Sequence, residues 1–138
     1  MKIKISRSMS VGEIQEQFSS QYPFLKLEFL MPRRQPAGAQ HLILAHDNSK
    51  LERIQTAMRE GGMVVNNLTT VGELESFFHN HLFDVQVFRR SGNLWLETTM
   101  TDGWTLEKQN SHGKEISEFR NISSHGRNYQ NGWANGAV

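Results

Sequence analysis

The string SVGEIQEQFSSQYPFLKLEF, from Ser10 to Phe29, returns in altered form sixty residues later as TVGELESFFHNHLFDVQVFR, from Thr70 to Arg89. A phrase written twice in one short chain constrains the fold more than any single motif, because each copy carries an apolar stripe that must be buried. In the first copy, the Ser10 hydroxyl can accept the backbone N–H of Glu13 while the Glu13 carboxylate reaches back, a capping box that opens a helix. Val11, Ile14, Phe18 and Tyr22 follow on one helical face, and Pro23 stops the helix. Leu25, Leu27 and Phe29 then alternate with Lys26 and Glu28, the period of a strand. In the second copy, Thr70 and Glu73 form the box, Val71, Leu74, Phe78 and Leu82 form the stripe, and Val85 and Val87 alternate. Phe18 aligns with Phe78, Leu25 with Val85 and Leu27 with Val87, without a gap.

The flanking segments complete two units. Lys2 to Ser6 alternates as a strand, Pro32 to Gly38 (PRRQPAG) reads as loop, and His41 to Ala45 reads as a further strand. Asp47, Asn48 and Ser49 offer caps for a helix carrying Leu51, Ile54 and Met58, ended by Gly61 and Gly62, with a strand from Met63. In the second unit, Arg90 to Asn93 reads as a hairpin loop and Leu94 opens the returning strand. Asp102 is placed to cap a helix through Trp104, Leu106 and Gln109, ending near Gly113. Residues 1–113 therefore read as one α+β domain made of two β-α-β-β-α repeats, about 1–61 and 62–113. Residues 114–138 are rich in Asn, Gly and Ser and read as a polar tail, laid along the domain or along a neighbouring chain. The economical assembly is a two-layer sandwich, a mostly antiparallel sheet with its helices on one face, ferredoxin-like in flavour. Two small sheets, one per repeat, are the alternative, and either arrangement invites a pseudo-two-fold axis.

Composition narrows the function. A chain without cysteine has no disulfide, thiol nucleophile or thiolate metal site. A net charge of +1 provides none of the broad field that a dedicated nucleic-acid binder carries. Nothing resembles a secretory signal or a membrane span, so a cytoplasmic location is expected. GxSxG, P-loop and GxGxxG patterns are absent; no catalytic residue or cofactor emerges, and the chain reads as non-catalytic. His79 and His81 are spaced i, i+2, which sends them to different sides of a helix, and His41, His46, His112 and His125 lack ligand spacing, so no metal site is expected.

The second hairpin carries the functional expectation. With Arg90 to Asn93 as the loop, Arg89 pairs with Leu94, Phe88 faces Trp95 and Gln86 faces Glu97. Val87 and Leu96 then share the core face, and Phe88 and Trp95 stand on the sheet face that no helix covers. Paired exposed rings mark an interface, covered by the tail (Phe119, Tyr129, Trp133), by a second copy or by another partner. The chain thus reads as an interaction or assembly protein, a homo-oligomer or bound to a protein partner, with Phe88, Trp95, Gln86 and Glu97 at the interface. The alternative is nucleic-acid or anionic-ligand binding. Arg33, Arg34, Arg89 and Arg90 fall in corresponding loops and suit phosphate or carboxylate, and bases could stack on the same rings. The stretch ETTMTDGWTLEKQN around Trp104 reads as a strand end and helix start, with polar residues able to line a groove.

Overall fold

Both predicted capping boxes form. Ser10 Oγ accepts the Glu13 N–H at 3.2 Å and Glu13 Oε1 accepts the Ser10 N–H at 3.1 Å; Thr70 and Glu73 repeat the exchange at 3.1 and 2.8 Å. They open helices α1 (Val11–Gln21) and α3 (Val71–Asn80) in a computed structural model that describes the backbone of residues 1–34 and 40–126 and the side chains of residues 1–31 and 43–118. Pro23 follows the end of α1. α3 ends differently, with Leu82 in the left-handed region at φ 73° and the Phe83 N–H donating to the Phe78 carbonyl at 2.9 Å.

The strands are β1 (Lys2–Ile5), β2 (Leu25–Arg34), β3 (Gln40–Leu44), β4 (Gly61–Val64), β5 (Asp84–Ser91) and β6 (Leu94–Glu97), and two more helices are α2 (Leu51–Ile54) and α4 (Leu106–Gly126). They make an α+β sandwich with two antiparallel sheets: a four-stranded sheet in the order β3-β2-β5-β6 and a two-stranded ribbon, β1-β4. The expectation of one sheet is corrected, and so is the alternative of one sheet per repeat, since each sheet takes strands from both halves. The reason lies in the pairing: β1 finds β4 and β2 finds β5, each its sequence counterpart, while β3 and β6 add to β2 and β5 as their chain neighbours. Ile3 pairs with Met63 and Leu27 with Val87, residues sixty apart in both cases.

The helix starts are tied down in matching ways. The Val11 and Gly12 N–H groups donate to the Ser49 and Asp47 carbonyls, at 2.9 and 2.7 Å, and Leu51 donates back to Met9 at 2.8 Å. In the second half Val71 and Gly72 donate to Trp104 and Asp102, at 3.1 and 2.8 Å, and Leu106 donates back to Thr69 at 2.8 Å. These bonds satisfy N–H groups that a helix N-terminus leaves without intrahelical partners.

One apolar cluster spans both halves, with Ile3, Ile14, Phe18, Leu27, Phe29, Leu74, Phe78 and Leu106 fully buried. Leu25, Leu27, Phe29, Val85 and Val87 bring the four-stranded sheet into it from one face, the face on which α1, α3 and α4 pack.

Several boundaries differ from expectation. Gly61 and Gly62 do not end a helix; they begin β4 against Ile5 and Lys4. α2 stops at Ile54 and its N-cap, Lys50, makes no side-chain bond; Asp47 instead offers its carbonyl to Gly12. Thr105, not Asp102, caps α4, its Oγ1 accepting the Lys108 N–H at 3.1 Å. α4 also runs past Gly113 to Gly126, into the stretch read as a polar tail. Gly113 serves there as a point of close approach, where an added Cβ would stand 3.0 Å from Arg89 Cγ and 3.2 Å from the Phe24 carbonyl oxygen. The expected tail contacts of Phe119, Tyr129 and Trp133 lie outside the described residues.

Candidate functional site: the helix-free sheet face

Alternation along β2 and β5 sends Lys26, Glu28 and Leu30, and Gln86, Phe88 and Arg90, to the side opposite the helices. Trp95 and Glu97 join them from β6, and Leu44 from β3. None of these side chains is buried; Phe88 and Trp95 are half-buried and Leu44 is 54% exposed.

The rings at 88 and 95 therefore share the open face, but not as a direct pair. The turn is the tight Gly92–Asn93, with Gly92 at φ 65°, so Ser91 pairs with Leu94, Arg90 with Trp95 and Phe88 with Glu97. This is two residues away from the expected register, and an even slip leaves every side chain on its predicted face. A glycine at the first turn position adopts the positive φ that a two-residue hairpin needs, which releases Arg90 and Ser91 into the strand. Gln86 faces Glu28 across the β2–β5 pair and does not face Glu97.

Lys26 fills the diagonal between the rings, its Nζ 5.5 Å from the Phe88 centroid and 5.0 Å from that of Trp95. Arg90 lies over Trp95 at 5.4 Å, its Nε donating to the Gly92 carbonyl at 2.6 Å. Lys26 also pairs with Glu28 at 3.3 Å. The face is thus an aromatic centre interleaved with two cations, Lys26 and Arg90, and two carboxylates, Glu28 and Glu97, with Asp84 at its far end. Cations over ring faces gain quadrupole attraction while covering apolar surface with their stems.

The arginine pairs do not sit in loops. Arg33 and Arg34 belong to the backbone of β2, pairing with His41 and Gln40, and their side chains lie outside the described residues. Arg89 and Arg90 are consecutive in β5 and point to opposite faces. Arg90 belongs to the open face; Arg89 turns under α4, where Nη1 donates to Gln109 Oε1 at 2.8 Å.

The histidines also separate. His79 Nδ1 is 3.4 Å from Asp84 Oδ1, while His81 Nδ1 donates to the Arg59 carbonyl at 2.9 Å and its ring rests on Phe77. Glu75 is the one carboxyl among the described residues held above its ordinary value; burial is the main cause, opposed by the Val87 N–H it accepts and reinforced by Asp102. Among the described residues no helix is long and apolar enough to cross a membrane. Sequence reasoning missed Lys26 as the residue joining the two rings. Its signal was available, since it alternates with Leu25 and Leu27, but only the β2–β5 pairing brings it beside Phe88.

The chain matches no protein-family model, no curated protein and no solved structure.

Proposed function

We propose that this protein is a non-catalytic assembly module that associates with a second copy of itself through the helix-free face, with Phe88 and Trp95 at the centre. One observation carries the reading: two half-buried rings sit on a sheet face that no helix among the described residues covers, framed by equal numbers of near-neighbour cations and carboxylates. A patch that holds both signs can pair with itself across a two-fold axis, Lys26 and Arg90 of one copy meeting Glu28 and Glu97 of the other. Leu30 and Leu44 extend the apolar part toward β3. The finer architecture, a tandem β-α-β-β-α repeat, is part of the same proposal. It is supported by the counterpart pairs Ile3–Met63 and Leu27–Val87 and by the matching bonds at the two helix starts.

Light scattering of the wild type and of Trp95→Glu at high micromolar concentration tests association. The expected outcome is a dimer for the wild type and a monomer of unchanged far-UV circular dichroism for the variant, since a central aromatic anchor contributes about 2 kcal/mol or more. A wild type that stays monomeric removes the reading. The stacking of Lys26 and Arg90 on the rings favours a second reading, single-stranded nucleic acid on the same face. Its mark is binding that weakens as salt rises, because phosphate contacts release counterions; no binding at low salt would end it.

A further inference from the structure

On the helix side of the same hairpin, the structure gathers two cations, Arg89 and Lys108, that have no carboxylate partner among the described residues. Arg89 pairs with Leu25, just as Phe29 pairs with Val85, so Arg89 occupies the position that corresponds to Phe29 in the other half. Phe29 is fully buried between Phe78 and Phe83; Arg89 is a guanidinium placed under α4 at the equivalent spot. Burial pulls its pKa down, with no carboxylate to oppose the effect. Among the described residues it forms no ion pair, and its one side-chain hydrogen bond goes to Gln109.

That bond is built. Gln109 is fully buried, and its Nε2 donates to the Thr101 carbonyl at 2.7 Å and to Thr101 Oγ1 at 2.8 Å. With its amide nitrogen fixed there, Oε1 must face Arg89, and the guanidinium is oriented by a group that cannot rotate away. Arg89 Cζ then stands 5.6 Å from the centroid of Trp104, and Lys108 Nζ stands over the same ring at 4.2 Å. His112 meets the ring edge-on at 5.6 Å. Each cation is attracted to the indole, as at Trp95, but the two repel each other, and the partly buried Arg89 carries an added desolvation cost. A fold that needed only packing here has the cheaper solution shown at Phe29.

We propose that Arg89 and Lys108, set around Trp104 and oriented through Gln109, form a binding site for a phosphate group, either the free ion or a small monoester. Phosphate answers the arrangement because it brings up to two negative charges and several acceptor oxygens to a planar fork and a point cation at once. Gln109 and Thr101 are positioning residues. The site lies on the opposite side of the sheet from Phe88 and Trp95, so it stands or falls independently of self-association.

The test is nitrogen-15 NMR of the full chain, following the Trp104 indole N–H and the Arg89 Nε–H. Inorganic phosphate and glycerol phosphate are added separately at ionic strength held constant with chloride. The expected result is a saturable shift of both signals, retained in Trp95→Glu and weakened roughly tenfold or more in Lys108→Gln, the loss of one charge-assisted contact. Lys108 is exposed, so its replacement leaves the fold intact. The tighter of the two ligands identifies the source of the phosphate. Shifts no larger than those of the chloride control, or an affinity unchanged in Lys108→Gln, overturn the proposal.

Discussion

Where the first half places α2, a helix of four residues, the second places α4, a helix of 21, although both begin on the same pair of backbone bonds to the preceding capping loop. The difference teaches how much a shared start leaves open. After Ile54 the chain must reach Gly61, because β4 is already committed to β1, and a longer helix would carry it away from that partner. Among the described residues no strand follows α4, which continues over β5, where Gly113 lets its backbone approach Arg89 and Phe24. The Arg89–Gln109–Trp104 cluster forms at the first turn of α4, and the extra length adds His112 against Trp104 and Gly113 against Arg89. A second contrast is smaller. Gln15 Nε2 donates to the Leu27 carbonyl at 2.9 Å, whereas its counterpart Glu75 accepts the Val87 N–H at 3.2 Å. Both reach around an edge of the central strand pair that the outer strands leave uncovered, one with an amide and the other with a half-buried carboxylate.

The likeness of the halves is most exposed in their core. Phe18→Ala and Phe78→Ala should each cost about 3–5 kcal/mol. Phe78 should be the larger loss because its ring meets both Phe29 and Phe77 edge-on, at 5.4 and 5.3 Å. Since the cluster is continuous, denaturant unfolding should remain a single transition in both variants; a half that survives the loss of the other would break the idea of a shared core. Next come the boxes. Ser10→Ala and Thr70→Ala should each lower stability by about 1 kcal/mol in chemical denaturation, and a large inequality would show that the two helix starts are not equivalent.

The ends of α1 and α3 sharpen the contrast further. Leu82 holds a left-handed conformation that costs a side-chain-bearing residue roughly 1–2 kcal/mol, so Leu82→Gly should raise the melting temperature, less whatever its partial burial returned. Tyr22, its counterpart, has φ −128° and should lose stability on the same change. The smallest effect is expected at Glu75. A carboxyl raised in the folded state contributes stability that is full below its unfolded pKa and is lost as pH rises through the folded one. Glu75→Gln, which installs the side chain found at position 15, should therefore stabilise the protein by less than about 1 kcal/mol at neutral pH. It should also flatten the loss of stability between weakly acidic and neutral pH. An unchanged pH profile would mean that the carboxylate is better solvated than its place beneath the strand edge indicates.

Much of the local structure was legible in the chain. Ser10–Glu13 and Thr70–Glu73 announce helices because a box is closed within four residues, and the stripes through Phe18 and Phe78 name the face to be buried. The side of the sheet for Phe88 and Trp95 was legible as well, since alternation survives any even error in register. The turn was misplaced because Arg90 and Ser91 look like loop residues, while the decisive fact was the positive φ open to Gly92. The Arg89 cluster was not legible, because Arg89 read as a loop residue and only the packing of α4 on β5 brings Gln109 and Trp104 beside it.

By itself the amino-acid order settled what is local: where helices open, which residues alternate, and which side chains share a face. Those properties depend on bonds and angles within a few residues. Which strands meet, and hence that β1 leaves the main sheet for β4 while Lys26 arrives between two rings, was decided by the assembled structure. Pairing of that kind is chosen by how well distant surfaces bury one another, and no single segment carries that information.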